Sequence, residues 1–231
     1  MSLRNLTLLT LLSVLPITAD AETVRIEADR DATLVEHPDG ALANGSGPFL
    51  FVGRTAQGQN SVRRTLLWFD VAAALPEQAI IERVSMTLFM SPSNPGMREA
   101  RLHRVLADWG EGASSAGGGG GRPSEPGDAT WIHAFYDFEF WAHSGGQFVG
   151  RASARLDVAG SAFYTWESTN HFVQDVRLWK SAPQRNFGWI LIGDETTPQT
   201  AKSFASRENP DPALRPVLEV TYRAPGRPGG R

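Results

Sequence analysis

The chain has 231 residues, 41% of them apolar and 20% charged, with a formal net charge of −3 and no cysteine. That balance is foldable and the length suits one large β domain, while the missing thiols exclude thiol catalysis, disulfide redox and thiolate zinc sites. A weakly acidic chain whose longest basic run is Arg63-Arg64 offers no footprint for nucleic acid and no polybasic membrane anchor.

The first 21 residues read as an export signal. Arg4 supplies the positive start, Leu6 to Ile17 the apolar stretch, and Ala19-Asp20-Ala21 the small-x-small cleavage site. The mature chain is expected to begin at Glu22, which places it outside the cell or in the periplasm. The apolar run is too short to span a bilayer, which takes about 20 apolar residues, and no later stretch is longer, so no membrane span is expected. One domain is expected over 22–224, followed by a frayed Gly/Pro/Arg-rich tail over 225–231.

The mature sequence then breaks into short β-type runs separated by turn residues. Thr23 to Ala28 alternates, with Val24 and Ile26 on one face. Phe49 to Val52 is short and flanked by glycines, and Thr65 to Val71 is apolar on both faces. Ile80 to Met90 alternates again, with Val84, Met86, Leu88 and Met90 on one side. Ala100 to Leu106, Phe163 to Trp166, Phe187 to Gly193, Ala201 to Ser206 and Val217 to Tyr222 complete the set. Runs apolar on both faces suit the middle of a sandwich, and alternating runs suit a half-exposed face. One segment has helical spacing: Phe172, Val173, Val176 and Trp179 form a stripe, with Asn170 as the expected N-cap and Pro183 as the stop. Gly110 to Gly127, with Gly117 to Gly121 unbroken, has little to bury and reads as a mobile loop. It lacks the Lys and the following helix that a phosphate-cradling loop needs.

Seven tryptophans invite a sugar-binding reading, because sugar rings present C–H faces that stack on aromatic rings. Trp68, Trp179 and Trp189 lie in apolar runs and are expected in the core. Trp109, Trp131 and Trp141 stand beside Gly, Asp and His, and Trp131 to His143 holds six rings besides its two histidines. That segment is either an exposed stacking platform or the cover of a secondary core. As a platform, its ligand-binding residues are Trp131, Tyr136 and Trp141, with Trp109 beside them. On a helix, His133/Asp137 and Glu139/His143 would each sit four apart and could serve a divalent metal, although no HExxH spacing is present. A hard cation suits sandwich loops better. Asp29, Asp31 and Asp39 are the candidate ligands of a structural calcium, and the sequence asks for no other cofactor. For hydrolysis, Asp108 and Glu111 are the nearest thing to a carboxylate pair, with Glu139 as a third. For a lyase, Tyr136 and His133 are the pair to consider. No activated nucleophile stands out, so no catalytic residue is assigned.

Four stretches carry a family resemblance. Arg63 to Met90 reads RRTLLWFDVAAALPEQAIIERVSMTLFM. Arg101 to Glu111, RLHRVLADWGE, is followed by DATW at Asp128 to Trp131. Phe172 to Gly193 contains DVRLW and then NFGWILIG, and Ser203 to Tyr222 reads SFASRENPDPALRPVLEVTY. In this order the chain resembles the DNRLRE, or disaggregatase-related, domains, which are similar to alginate-binding carbohydrate-binding modules. The departure lies between Trp109 and Trp166, where the glycine insert and the aromatic segment fall. The resemblance implies an all-β, jelly-roll-like antiparallel sandwich, secreted and non-catalytic, that binds a polysaccharide or cell-surface glycan; the helical spacing adds one short capping helix and the glycine stretch a Gly-rich loop. An acidic polysaccharide would need an Arg/Lys cluster, and Arg101 with Arg104 is the closest approach to one. The alternative is a structural or adhesive cell-surface sandwich without sugar specificity, and behind it a polysaccharide lyase or hydrolase. The sequence specifies no oligomeric state.

Overall fold

The computed structural model of the chain describes residues 21–224. The expected export signal and the tail at 225–231 therefore lie outside the described residues, except Ala21, which opens the first strand. In chain order the strands are β1 (Ala21–Glu27), β2 (Arg30–Val35), β3 (Leu42–Asn44), β4 (Phe49–Arg54), β5 (Val62–Trp68), β6 (Ile80–Ser91), β7 (Arg98–Arg104) and β8 (Arg122–Pro123). They continue with β9 (His133–Phe135), β10 (Glu139–Phe140), β11 (Ala154–Val158), β12 (Ala162–Trp166), β13 (Trp189–Ile192), β14 (Lys202–Ala205) and β15 (Val217–Arg223). Two helices accompany them, a single turn α1 (Val71–Ala74) and the longer α2 (Asn170–Ser181).

The result is the expected antiparallel β-sandwich. In the first sheet β6 is central. β12 lies along one edge of β6, and β15 and β14 follow one another along the other. β1 then pairs with β15, and β4 with β14. The second sheet runs β8-β3-β2-β5-β13-β7-β11. β4 belongs to both sheets, because its last residues, Gly53 and Arg54, pair with Arg63 and Val62 of β5. Gly53 makes that crossing with a φ of 95°, a left-handed conformation that favours glycine. Before the crossing, the edge of β4 turned toward the second sheet is satisfied by two threonines. Thr33 Oγ1 accepts from the Phe51 amide at 3.1 Å, and Thr65 Oγ1 donates to the Phe51 carbonyl at 3.1 Å.

Period-two patterning decides what is buried where. Val84, Met86, Leu88 and Met90 of β6 all face inward, as their alternation predicts. They meet Leu67, Leu191, Leu102 and Trp189 from the second sheet in one core. Fully burying a side chain of this size contributes about 1.5–3 kcal/mol. α2 closes one end of this core through Phe172, Val173, Val176 and Trp179, with the Trp179 and Trp189 ring centres 4.2 Å apart. Its N-cap is Thr169 rather than Asn170. Thr169 has the extended backbone a cap requires, and its hydroxyl accepts from the Phe172 amide at 3.1 Å. Asp175 ties the helix to the second sheet. It accepts from Ser153 Oγ at 2.5 Å and Trp189 Nε1 at 3.0 Å, and pairs with Arg104 Nε at 2.9 Å.

The second sheet is buried on its outer face as well. Leu66, Ile190, Ile192, Leu34 and Ala32 point away from the first core into another one, covered by the long connection from Val105 to Phe148. This explains why β5 and β13 read as apolar on both faces. Two arginines clamp the cover. Arg30 lies between the Trp68 and Trp109 rings, at 5.0 and 4.8 Å from their centres, and its Nη1 donates to the Trp109 carbonyl at 2.6 Å. Arg64 lies over Trp131 at 4.9 Å, forms a two-point pair with Glu195 at 2.7 and 3.0 Å, and donates to the Gly145 carbonyl at 2.6 Å.

The glycine-rich stretch is a loop, as expected, but one anchored to the sandwich at several points. The Gly45 and Ser46 amides both donate to the Ser114 carbonyl at 2.9 Å, and the Ala116 amide donates to Asn44 Oδ1 at 2.9 Å. Arg122–Pro123 pairs with β3, and the Ser124 amide donates to the Ala41 carbonyl at 3.0 Å. The buried Arg63 donates from Nε to the Gly119 carbonyl in the middle of the run. Glycine content signals missing side chains, and the backbone of this stretch is still tied to the sandwich on both sides of the run and at Gly119 within it.

Candidate binding groove and carboxylate cluster

The aromatic segment folds as the cover of a secondary core. Trp109 is 0% and Trp141 6% exposed, and their indole N–H groups are spent on the Phe187 carbonyl at 2.9 Å and the Thr130 carbonyl at 3.0 Å. Neither ring presents a face to solvent. Trp131 and Tyr136 are half-buried, Trp131 under Arg64 and Tyr136 edge-on to His133 at 5.1 Å. The rings this segment does expose are Phe138 at 69% and Phe140 at 62%, on the β9–β10 hairpin. Burial of Trp109 and Trp141 leaves the four expected binding residues without a shared open plane.

An open, ring-floored groove lies instead on the outer face of the first sheet. Its volume is about 430 Å³. Phe49 and Phe51 of β4 form the floor, because odd positions of that strand point outward while Leu50 and Val52 enter the core. Hydroxyls and amides of Ser91, Ser93, Asn94, Ser203 and Thr55 rim it. The glycine run forms one wall: a Cβ on Gly119 would stand 3.3 Å from the Phe51 ring. Lys202 also lines the groove, but its ammonium is committed to the carbonyls of Asn94, Gly96 and Ala159 at 2.6, 2.7 and 3.1 Å. Burial, followed by the Arg98 charge, lowers its pKa. Lys202 therefore fixes the rim loops in place of reaching a ligand. Sequence reasoning passed over this groove because Phe49 and Phe51 read simply as a short strand. The one local signal was the alternation Phe-Leu-Phe-Val, which turns two rings to the same face; nothing in the residue order ties it to the distant glycine run.

A second constellation joins three layers of the molecule. Asp31 comes from β2 in the second sheet, Glu111 from the cover, and Arg207 and Glu208 from the turn after β14 of the first sheet. Asp31, Glu111 and Glu208 each offer a carboxylate oxygen, and these lie within 4.8 Å of one another. The Asp31 amide donates to Glu111 Oε1 at 2.8 Å, and the Arg207 amide to Asp31 Oδ2 at 2.7 Å. Arg207 Nη1 bonds Glu111 Oε2 at 3.2 Å and Glu208 Oε1 at 2.5 Å. Gly112, at a φ of 72°, turns the chain sharply after Glu111 where a Cβ would lie 1.8 Å from Asp128 Oδ1. Burial, reinforced by the neighbouring carboxylates, raises the Asp31 pKa well above the usual range. Burial raises Glu111 and Glu208 as well. Burial works against the Arg207 charge, yet Glu111, Glu208 and Asp31 together raise its pKa.

The remaining sequence candidates disperse. Asp29 accepts from the Asp70 amide at 3.1 Å, and Asp39 lies in an exposed turn, so Asp31 alone of the three aspartates enters a carboxylate cluster. Residues 133–143 form a hairpin and turns, which removes the helical spacing His133, Asp137, Glu139 and His143 would need. His133 is buried, with Nδ1 3.0 Å from the Thr130 hydroxyl. Asp108 pairs with Arg30 at 3.1 Å while Glu111 faces Arg207, so these two carboxylates serve different partners. Arg101 and Arg104 are matched by Glu99 and Asp175. Among the described residues, no helix is long and apolar enough to cross a membrane. Compared with known protein families and with curated proteins, the chain finds no match in either, and the functional reading rests on this geometry.

Proposed function

We propose that this domain is a non-catalytic carbohydrate-binding module whose ligand, a polysaccharide or cell-surface glycan, lies in the groove over Phe49 and Phe51. The observation that carries the reading is the composition of that groove: two half-exposed rings below, a rim of hydroxyls and amides above, and one cation already bound to carbonyls. Rings stack on the C–H faces of sugars, and hydroxyl rims exchange hydrogen bonds with sugar hydroxyls. A groove without a free cation suits a neutral or weakly charged glycan better than a densely acidic one, which narrows the expectation drawn from the alginate-binding resemblance. Export of the domain belongs to the same proposal, since such ligands lie outside the cell.

The test is a glycan array on the residue 22–224 domain, followed by calorimetry on the best ligand. Phe51→Ala should weaken binding by about 1–3 kcal/mol, the scale for losing an aromatic contact at the centre of an interface. It should cost little stability, because the ring is half-exposed. Unchanged affinity in Phe51→Ala and Phe49→Ala would move the ligand elsewhere. Absence of any glycan binding would favour the structural or adhesive alternative.

A further inference from the structure

We infer that Asp31, Glu111 and Glu208 form a binding site for a hard divalent cation of calcium's size, which pins the two sheets and the cover together at one end of the sandwich. Two carboxylate oxygens carry the argument. Asp31 Oδ1 and Glu208 Oε2 are sealed from solvent and have no hydrogen-bond partner. Asp31 as a whole is 0% exposed. Buried polar atoms almost always have a partner, and a buried carboxylate oxygen without one is costly. Every other polar contact in the cluster is accounted for, so these two oxygens are the places where a missing ligand would bond.

The charge leads to the same conclusion. Three carboxylates face one guanidinium, which leaves two negative charges unmatched in a largely enclosed space. A single divalent cation cancels them. The donors are all oxygen, with no imidazole or thiolate among them, which selects calcium-like ions over zinc or copper. Calcium–oxygen bonds of about 2.4 Å place opposite ligands about 4.8 Å apart. A donor set lying within 4.8 Å can therefore surround one such ion.

The consequence is architectural. The three ligands arrive from the second sheet, the cover and the turn leaving the first sheet, so one ion cross-links three layers of a chain that has no disulfide. Arg207 bonds one carboxylate oxygen each of Glu111 and Glu208, holding both side chains in position for the ion.

The experiment uses the full chain, stripped with EDTA and then titrated with calcium, magnesium or terbium. Trp109, two residues from Glu111, serves as the antenna for terbium emission. Terbium emission that calcium displaces is expected, together with a rise in Tm on the order of 5–10 °C at about a hundredfold excess of calcium over its Kd. Asp31→Asn and Glu208→Gln should each weaken calcium binding at least about tenfold, because each removes an anionic ligand. Should Asp31→Asn fail to fold, Glu208→Gln at the more accessible position carries the comparison. Identical melting in EDTA and calcium with no terbium emission would overturn the site and leave the carboxylates sharing protons. A calcium response undiminished in both variants would place the ion elsewhere and overturn it equally.

Discussion

The outer faces of the two sheets teach opposite lessons about aromatic residues. The second sheet's outer face is roofed by the connection from Val105 to Phe148, and the rings concentrated there, Trp109 and Trp141 above all, are consumed as packing. The first sheet's outer face has no such roof, and four less conspicuous rings stand on it: Phe49 and Phe51 in the groove, and Phe89 against Phe163 with centres 5.0 Å apart. A segment dense in aromatics can bury itself, since its rings supply one another with apolar contact. A ring isolated on a strand among serines and threonines has no such option and remains available to a ligand.

The contrast is broken most forcefully at Trp141. Trp141→Ala removes a core ring together with the hydrogen bond to the Thr130 carbonyl. Large-to-small changes of this kind cost about 3–5 kcal/mol, which lowers Tm by about 10 °C in a domain of this size. Glycan affinity, measured well below the melting range, should stay at the wild-type value. A stable Trp141→Ala protein that has lost affinity would restore the aromatic segment as the binding face.

Next in size is the wall of the groove. Removing Gly117 to Gly121 deletes the carbonyl that meets Arg63 Nε. Arg63 is buried, and burial lowers its pKa to about 10 despite the favourable charge of Glu36. Taking a partner from a buried charged donor costs about 1.5–3 kcal/mol. Thermal melting should therefore fall by several degrees, and glycan binding should drop because Phe51 loses the wall that Gly119 forms beside it. A deletion variant that melts and binds like the wild type would mean that the run is a passive spacer, as its composition alone suggests.

Smaller still in stability is Phe51→Ala, expected to change folding by less than about 1 kcal/mol, as for most exposed substitutions, while weakening binding. Paired with Trp141→Ala, it forms a crossed test: one variant should melt early and bind, the other melt normally and fail to bind.

What the sequence disclosed follows from which forces act locally. Strand β6, helix α2 and the double-sided apolarity of β5 and β13 were legible because alternation, helical spacing and two-faced burial leave direct marks in the residue order. β2, read as RDATLV, was missed because its buried Asp31 and Thr33 broke the apolar pattern for reasons that lie far away in the chain. Thr33 serves the Phe51 amide in the other sheet, and Asp31 meets Glu111 and Glu208. The groove was invisible for the same reason: its floor, rim and wall come from β4, β6, β14 and the glycine run, brought together only by the sheet crossing at Gly53. Asp31 could be named as a candidate cation ligand from its type and place near a loop. The carboxylates beside it could not be named, because nothing local distinguishes Glu111 and Glu208 from other acidic residues.

The smallest expected effect lies at the joint between the two faces. Asp194 follows β13 of the second sheet, and its carbonyl accepts from Thr200 Oγ1 at 2.7 Å just before β14 of the first. Its carboxylate accepts from the Thr196 amide and hydroxyl, both at 2.9 Å, and from the Thr197 amide at 3.0 Å. Arg98 Nε is 3.3 Å away. Partial burial works against the ionised form, but these donors prevail and lower the Asp194 pKa to about 2. A carboxylate depressed in the folded state stabilises the fold above its unfolded pKa, about 3.9, and loses that contribution as the pH falls toward 2. The partly open position limits the contribution to about 1 kcal/mol. Asp194→Asn should therefore melt slightly below the wild type at pH 6, with the difference shrinking between about pH 4 and pH 2. Carboxyl NMR titration should give the wild-type residue a midpoint near 2, and a midpoint near 4 would show that the turn is not closed around the carboxylate in solution. Because the Asp194 carboxylate itself bonds only Thr196, Thr197 and Arg98, none of which lines the groove or enters the carboxylate cluster, glycan affinity and calcium response should be the same in variant and wild type. A loss of either would mean that the junction of the sheets, rather than their separate outer faces, sets what the molecule binds.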